Sequence, residues 1–465
     1  MKIYRNVIVG GIAVLTTIAI GTGRVAAQSE NVSTCAAQAA WAKGPSLPDF
    51  SKEPADECAF NQYAWQSFLY LTQTVRPHNV LLFQTFPSVS GVFPGTAASE
   101  SACVNEDENG DFRRVFLLRR AKSKDAEHTQ AGSGGVLVDQ AGNVTYYEQY
   151  YNPRFASFVH RCGLDILSCQ TSEQAASLHA PLGSIELKAA WRPIKREDPT
   201  YNRFHTIRNV SVEDPQTGKC QKTDLALVGL HLVYAPAGHP ELIWATFEHI
   251  ANGPDGPCTG KPTTPPAGFS KWTYNDKAST DCGKVNSWDP DNPYKTTQAF
   301  RNWAYGYDPS QPRDAENIRL TKALNQSVAR ILPADSVWKN YYLIGSVWTT
   351  DGVLPAVQAV PPTPGNLAGA PFLANLTMET YTQTPNPLDP TAVQKNSCMF
   401  CHNTGTQTPR SFQVSHAFAN AYQTAACPWL PPTGTGELPT ACLDTQVPAK
   451  KTAGTAAAPA LIPSH

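Results

Sequence analysis

The chain has 465 residues, 41% of them hydrophobic, and its 37 Lys and Arg against 38 Asp and Glu give a formal net charge of −1. That balance, with no basic stripe and no polybasic segment, excludes the electrostatic footprint of a nucleic-acid binder or of a protein held on anionic lipid. Thirty-nine prolines, with Gly, Asn and Asp recurring between short apolar runs, predict a loop-rich, β-containing body that uses helices sparingly.

Residues 1–27 read as a secretory signal. Lys2 and Arg5 form a basic start, Val7 to Gly21 is apolar, and Val25-Ala26-Ala27 places small residues where cleavage would fall. A retained anchor is the alternative, but the apolar run is shorter than a membrane span requires, and no later run is long enough either. Pro45, Pro48 and Pro54 make 28–57 an extended lead-in. Phe60, Tyr63, Ala64, Ser67, Phe68 and Leu71 then recur at helical spacing, so 58–73 is predicted as an amphipathic helix. Its aromatic stripe is first of all a core stripe.

From 112 to 250 the pattern turns to strands. Val136 to Val138 and Val144 to Tyr147 flank a turn at Asp139 to Asn143 and predict a hairpin. Ile185 to Trp191 alternates, as does Leu225 to Tyr234, and Leu242 to Phe247 follows a turn at Pro236 to Pro240 and is expected to pair back with 227–234. Together they predict an antiparallel sheet. Residues 252–300 are rich in turn formers and hold Cys258 and Cys282, which predicts a long, disulfide-pinned loop near the active face. Helix returns over 314–332, with Ile318, Leu324, Val328 and Ile331 on one face, and strand over Tyr341 to Thr349. Pro361-Pro362-Thr363-Pro364-Gly365 suggests a boundary, and the Ala-, Thr- and Pro-rich stretch over 444–465 a disordered tail.

Cys398-Met399-Phe400-Cys401-His402 carries the clearest chemistry. Cys-x-x-Cys-His is the spacing that attaches a c-type haem: two thiols on one helical turn add across the porphyrin vinyls, and the next imidazole ligates the iron. A redox Cys-x-x-Cys pair, half a zinc site and a structural disulfide are the alternatives. Zinc would want a second Cys-x-x-Cys or a paired His motif, and a thioredoxin-like site a βαβ setting; the sequence has neither. Removing Cys398 and Cys401 from the twelve cysteines leaves an even ten, as structural disulfides require. Local pairing suggests Cys162 with Cys169, Cys427 with Cys442 and, more weakly, Cys35 with Cys58, although sequence alone does not fix connectivity.

His402 is the expected proximal ligand. For the opposite face Met378 is the available methionine, because Met399 lies between the two cysteines; its plainer role is packing. His416, in a helix predicted over Ser411 to Tyr422, is a second candidate. His231 and a Glu248–His249 acid–base couple are further ones, for which a core or capping role is the plainer reading. An open distal face, suited to peroxide or dioxygen chemistry, stays an alternative.

At this motif the chain resembles c-type cytochromes. Glu186 to Trp191, Trp244 to His249 and Met378 to Tyr381 are similar to blocks in a family of large secreted monohaem cytochrome c-like proteins. The chain departs from small class I cytochromes, since nearly all of it precedes the motif, and from dihaem peroxidases, which carry two motifs. The expected architecture is α+β: a signal over 1–27, a disulfide-rich antiparallel β-sheet body over 28–364, a short, mainly helical haem c segment over 365–443, and the tail. The resemblance implies one covalent haem c held by Cys398, Cys401 and His402. The family brings no substrate; the motif and the export signal together point to a Gram-negative periplasm, and the leading expectation is electron transfer, with a redox partner protein or a small-molecule substrate and no nucleic acid. A haem c oxidoreductase and a gas- or partner-sensing module are the alternatives.

Overall fold

The computed structural model describes residues 35–77, 79–94, 103, 105–106, 113–114, 135–352, 366–383, 398–402, 415 and 425–443, all within one unit that begins at Cys35. The signal over 1–27, the boundary at 361–365, the tail, and the helix over Ser411 to Tyr422 with His416 (Ser415 apart) lie outside the described residues.

Helix α1, Glu57–Leu71, starts where the Asp56 carboxylate accepts the Ala59 N–H, and it ends where the Thr72 hydroxyl donates to the Phe68 carbonyl. The helical spacing therefore found the right segment, and Phe60, Ala64, Phe68 and Leu71 are buried as the stripe implies. Strand β1, Tyr146–Tyr151, leads into helix α2, Pro153–Cys162, which the strand-like reading of 112–250 did not anticipate. Its signals were present. Asn152 caps it, Pro153 opens it, and Gly163 closes it in the left-handed region at φ 63°. Strands β2 (Ile185–Ile194), β3 (Thr206–Glu213), β4 (Cys220–Tyr234) and β5 (Ile243–His249) follow, then helix α3, Pro312–Ile331, and strands β6 (Tyr341–Thr349) and β7 (Leu367–Gly369).

All these strands pair antiparallel, in the order β7-β6-β5-β4-β2-β1, with β3 added beside the first half of β4. The pairing expected between 227–234 and 242–247 runs from Gly229 opposite Glu248 to Tyr234 opposite Ile243. The hairpin expected at 136–147 shrinks to one bridge, Val138 to Val144, closed by the Asp139 carboxylate accepting from the Ala141 and Asn143 amides; the rest of that second arm pairs with β2 instead.

The pleat gives the sheet two unlike faces. Leu225, Leu230, Leu232, Ala245 and Phe247 belong to the apolar core that also takes in α1 and α3. There Phe68 stacks on Phe247 at 4.4 Å and the Trp65 indole donates to Asn325. The other face carries Glu186, Lys188, His231, Trp244, Thr246 and Glu248, and residues 366–383 and 398–402 cover it. The architecture is α+β, and no helix among the described residues is long and apolar enough to cross a membrane.

Five disulfides join the ten remaining cysteines: Cys35–Cys58, Cys103–Cys220, Cys162–Cys442, Cys169–Cys427 and Cys258–Cys282. The local guesses Cys162–Cys169 and Cys427–Cys442 are thereby corrected. The segment 425–443 lies against α2 and the turn after it, where the Trp429 indole donates to the Cys162 carbonyl, so each cysteine meets a distant partner before its neighbour. The loop over 252–300 is pinned as expected by Cys258–Cys282.

Candidate functional site

Residues 373–382 form a strap across the polar face. The Asn375 side chain donates to the Thr246 hydroxyl at 2.7 Å and to the Phe247 carbonyl, and the Leu376 N–H donates to Glu248 at 2.7 Å. The Tyr147 hydroxyl donates to the Thr377 carbonyl at 2.7 Å. Backbone bonds from Met378 and Glu379 to the Asn375 carbonyl close a turn inside the strap, and Met378 within that turn is fully buried.

The Cys-x-x-Cys-His motif sits beside this strap. Cys398–Cys401 is a helical turn, and the His402 N–H donates to the Cys398 carbonyl at 2.9 Å, so the histidine directly continues the turn. The Cys398 thiol lies 3.6 Å from the Leu373 carbonyl. The His402 ring lies on the Trp244 indole, with centroids 4.0 Å apart and planes inclined by 31°. Cys398, Met399, Trp244, Leu373, Leu376 and Met378 belong to one apolar cluster. Of the predicted site residues, Cys398 and His402 lie at this face beside Leu373 and Trp244, and Met378 is buried within the strap; the Cys401 side chain lies outside the described residues.

A polar row runs along the same face. His231 Nε2 and Glu379 Oε1 are 2.8 Å apart. Burial works against ionising Glu379, yet the charge and hydrogen bond of His231 outweigh it and hold the carboxyl below the usual range. Lys188, opposite His231 on the neighbouring strand, has its ammonium 5.2 Å from the centre of the Tyr147 ring. Glu186 accepts from Gln149 at 2.9 Å and from the Ser415 hydroxyl at 2.5 Å, and burial pushes it up to about 7.

The Glu248–His249 couple does not form. Consecutive residues of a strand point to opposite faces. Glu248 engages Leu376, Asn252 and Arg301, whereas His249 stacks on Phe204 at 3.7 Å and contacts the Arg203 carbonyl, with burial taking its pKa down to about 3. His231 instead finds its carboxylate in Glu379, which the sequence reading had not singled out. The available signal was the alternation of Glu186 and Lys188 in an otherwise apolar strand, since charges at buried alternate positions need partners.

Among the described residues no group of three or more His, Cys, Asp or Glu is arranged to hold a bare metal ion. No family model matches the chain, and neither a curated protein nor a solved structure is similar to it.

Proposed function

We propose that this chain is an exported monohaem c-type cytochrome that transfers electrons, with Cys398 and Cys401 as covalent anchors, His402 as proximal ligand and Met378 as the opposite ligand. The observation that carries the reading is the helical turn Cys398–Cys401 continued by an imidazole that is buried against Trp244. Two thiols on one helical turn and the imidazole that follows are the set a covalent haem requires, and Cys398, Cys401 and His402 supply those residue types beside an apolar wall, so the residues present fit the group. When bound, the haem would supply a one-electron iron centre. Trp244 orients the His402 ring, the strap holds Met378 out of water, and Leu373 lies beside Cys398. The His231–Glu379 pair ties the strap to the sheet through a 2.8 Å hydrogen bond.

A second reading, a haem c oxidoreductase, draws on one observation. Glu186 and the His231–Glu379 pair put proton-holding groups on the same covered face. Visible spectra of the chain expressed with haem c maturation machinery, oxidised and reduced, with and without carbon monoxide, separate the two. Electron transfer expects a low-spin spectrum unmoved by carbon monoxide, while the enzyme expects a high-spin spectrum that shifts. If no haem survives denaturing electrophoresis, or Cys398→Ser leaves attachment unchanged, both readings fail.

A further inference from the structure

A cleft of about 610 Å³ opens between the start of β6, the side of α3 and the pinned loop; none of the residues 398–402 lines it, and the proposed function gives it no role. Trp272, Tyr305 and Tyr342 bring aromatic residues to its wall, while the neighbouring Tyr341 turns its ring to the opposite face of the sheet, against Phe68, His249 and Trp338. Its charged lining residues, Asp255 and Lys339, are opposite in sign, so the wall selects no ion. Asn325, Gln326, Thr263 and Thr264 complete a mixed wall, so a pocket of this size suits a small ligand that has an apolar body and a few polar groups.

Tyr305 is the unusual residue. Its backbone is left-handed, at φ 59° and ψ 15°, and Gly306 follows at φ 72°. A bulky side chain is costly there, glycine would adopt the conformation freely, and strain of this kind gathers at ligand sites. The conformation is enforced from behind, because a Cβ on Gly306 would come within 3.0 Å of the Leu373 backbone and 2.9 Å of Ala370. The partly buried Tyr305 ring meets Tyr342 edge-on at 6.0 Å, and Lys322 lies 5.3 Å over it. Across the cleft the Tyr342 hydroxyl accepts from Arg301 at 2.8 Å. Burial raises the pKa of that phenol, so it keeps its proton while it accepts from Arg301.

We propose that this cleft binds a neutral aromatic ring carrying an oxygen acceptor, with Tyr305 as the stacking surface and the Tyr342 hydroxyl as the donor. The site stands independently of haem attachment, so either reading can fail alone. The test is calorimetric titration of the full chain with 2-naphthol, against cyclohexanol and maltose as non-aromatic controls. Binding of 2-naphthol is expected to weaken about tenfold in Tyr305→Gly, which removes the ring while suiting the backbone. In Tyr342→Phe, which keeps the ring and loses the donor, it is expected to weaken about fivefold. Unchanged thermal unfolding of both variants shows that the fold is intact. Absence of 2-naphthol binding, affinity unchanged in both variants, or a control bound as tightly would each overturn the assignment.

Discussion

Gly229 lies so close beneath Thr377 that a methyl group in place of its hydrogen would sit 2.2 Å from the threonine hydroxyl oxygen and 3.0 Å from the Asn375 amide oxygen. Side chains in the strap, rather than a flexible tip, block the space, and both take part in the turn that holds Met378. Gly229→Ala is therefore expected to lift the strap and cost about 3 kcal/mol, near the upper end of the usual overpacking penalty. Urea unfolding would measure the loss, and a variant as stable as the parent would show that the strap gives way easily.

Glu186 sets a dependence of stability on pH. Its folded-state pKa of about 7 lies above the ordinary 4.5, so between these values the folded chain holds a proton that the unfolded chain has released. Stability from this group is full below pH 4.5 and falls as pH rises towards 7, by on the order of 3 kcal/mol. Glu57, raised to about 7 chiefly by burial, acts in the same direction, whereas His249, lowered to about 3, opposes both below pH 6.5. Comparing Glu186→Gln with the parent at pH 5 and pH 8 isolates the one group, and the variant is expected to lose less stability across that interval.

Met378→Ala is expected to destabilise the chain by about 3 kcal/mol, because the side chain is fully buried in the apolar cluster. Under the proposed function it also opens the distal side of the haem. The spectrum of the reduced variant should then respond to carbon monoxide where that of the parent does not. A variant that loses stability but keeps the parental spectrum would make Met378 a packing residue and leave the opposite ligand to be found elsewhere.

Replacing Cys169 and Cys427 together by serine is expected to cost about 3 kcal/mol, since with Cys162–Cys442 in place the bridge closes only the loop formed by 162–169 and 427–442. Limited proteolysis should then cut first within 425–443, whose described residues pack by way of Cys427 and Trp429. Cleavage at the parental rate would show that the Cys162–Cys442 bridge holds this segment alone.

What the sequence made legible was whatever repeats locally. The stripe from Phe60 to Leu71, the alternation over Ile185 to Trp191 and the turn before Leu242 each carry their period in the chain, and each became the expected element. Helix α2 was hidden because strand-like runs flank it, although Asn152, Pro153 and Gly163 marked both its ends. The helical turn of Cys398–Cys401, continued by His402, was legible from the spacing of the motif. Its surroundings were not: Trp244 meets His402, and Glu379 meets His231, only because β4 and β5 are neighbours and the strap folds back over them. Adjacent letters misled at Glu248 and His249, which the pleat separates, and at Cys162 and Cys169, which the C-terminal segment claims individually.

The nested bridges Cys162–Cys442 and Cys169–Cys427 bear on maturation. Cys162 and Cys169 leave the ribosome well before Cys427 and Cys442, and for that interval each has the other as its nearest thiol in sequence. Cys398 and Cys401 emerge in between. A chain oxidised as it appears would trap Cys162 with Cys169, or spend a motif thiol on one of them, and α2 would then lack its C-terminal cover. Correct maturation thus depends on delayed oxidation or on efficient reshuffling, and a disulfide isomerase should raise the yield of the native form far more than extra oxidant does.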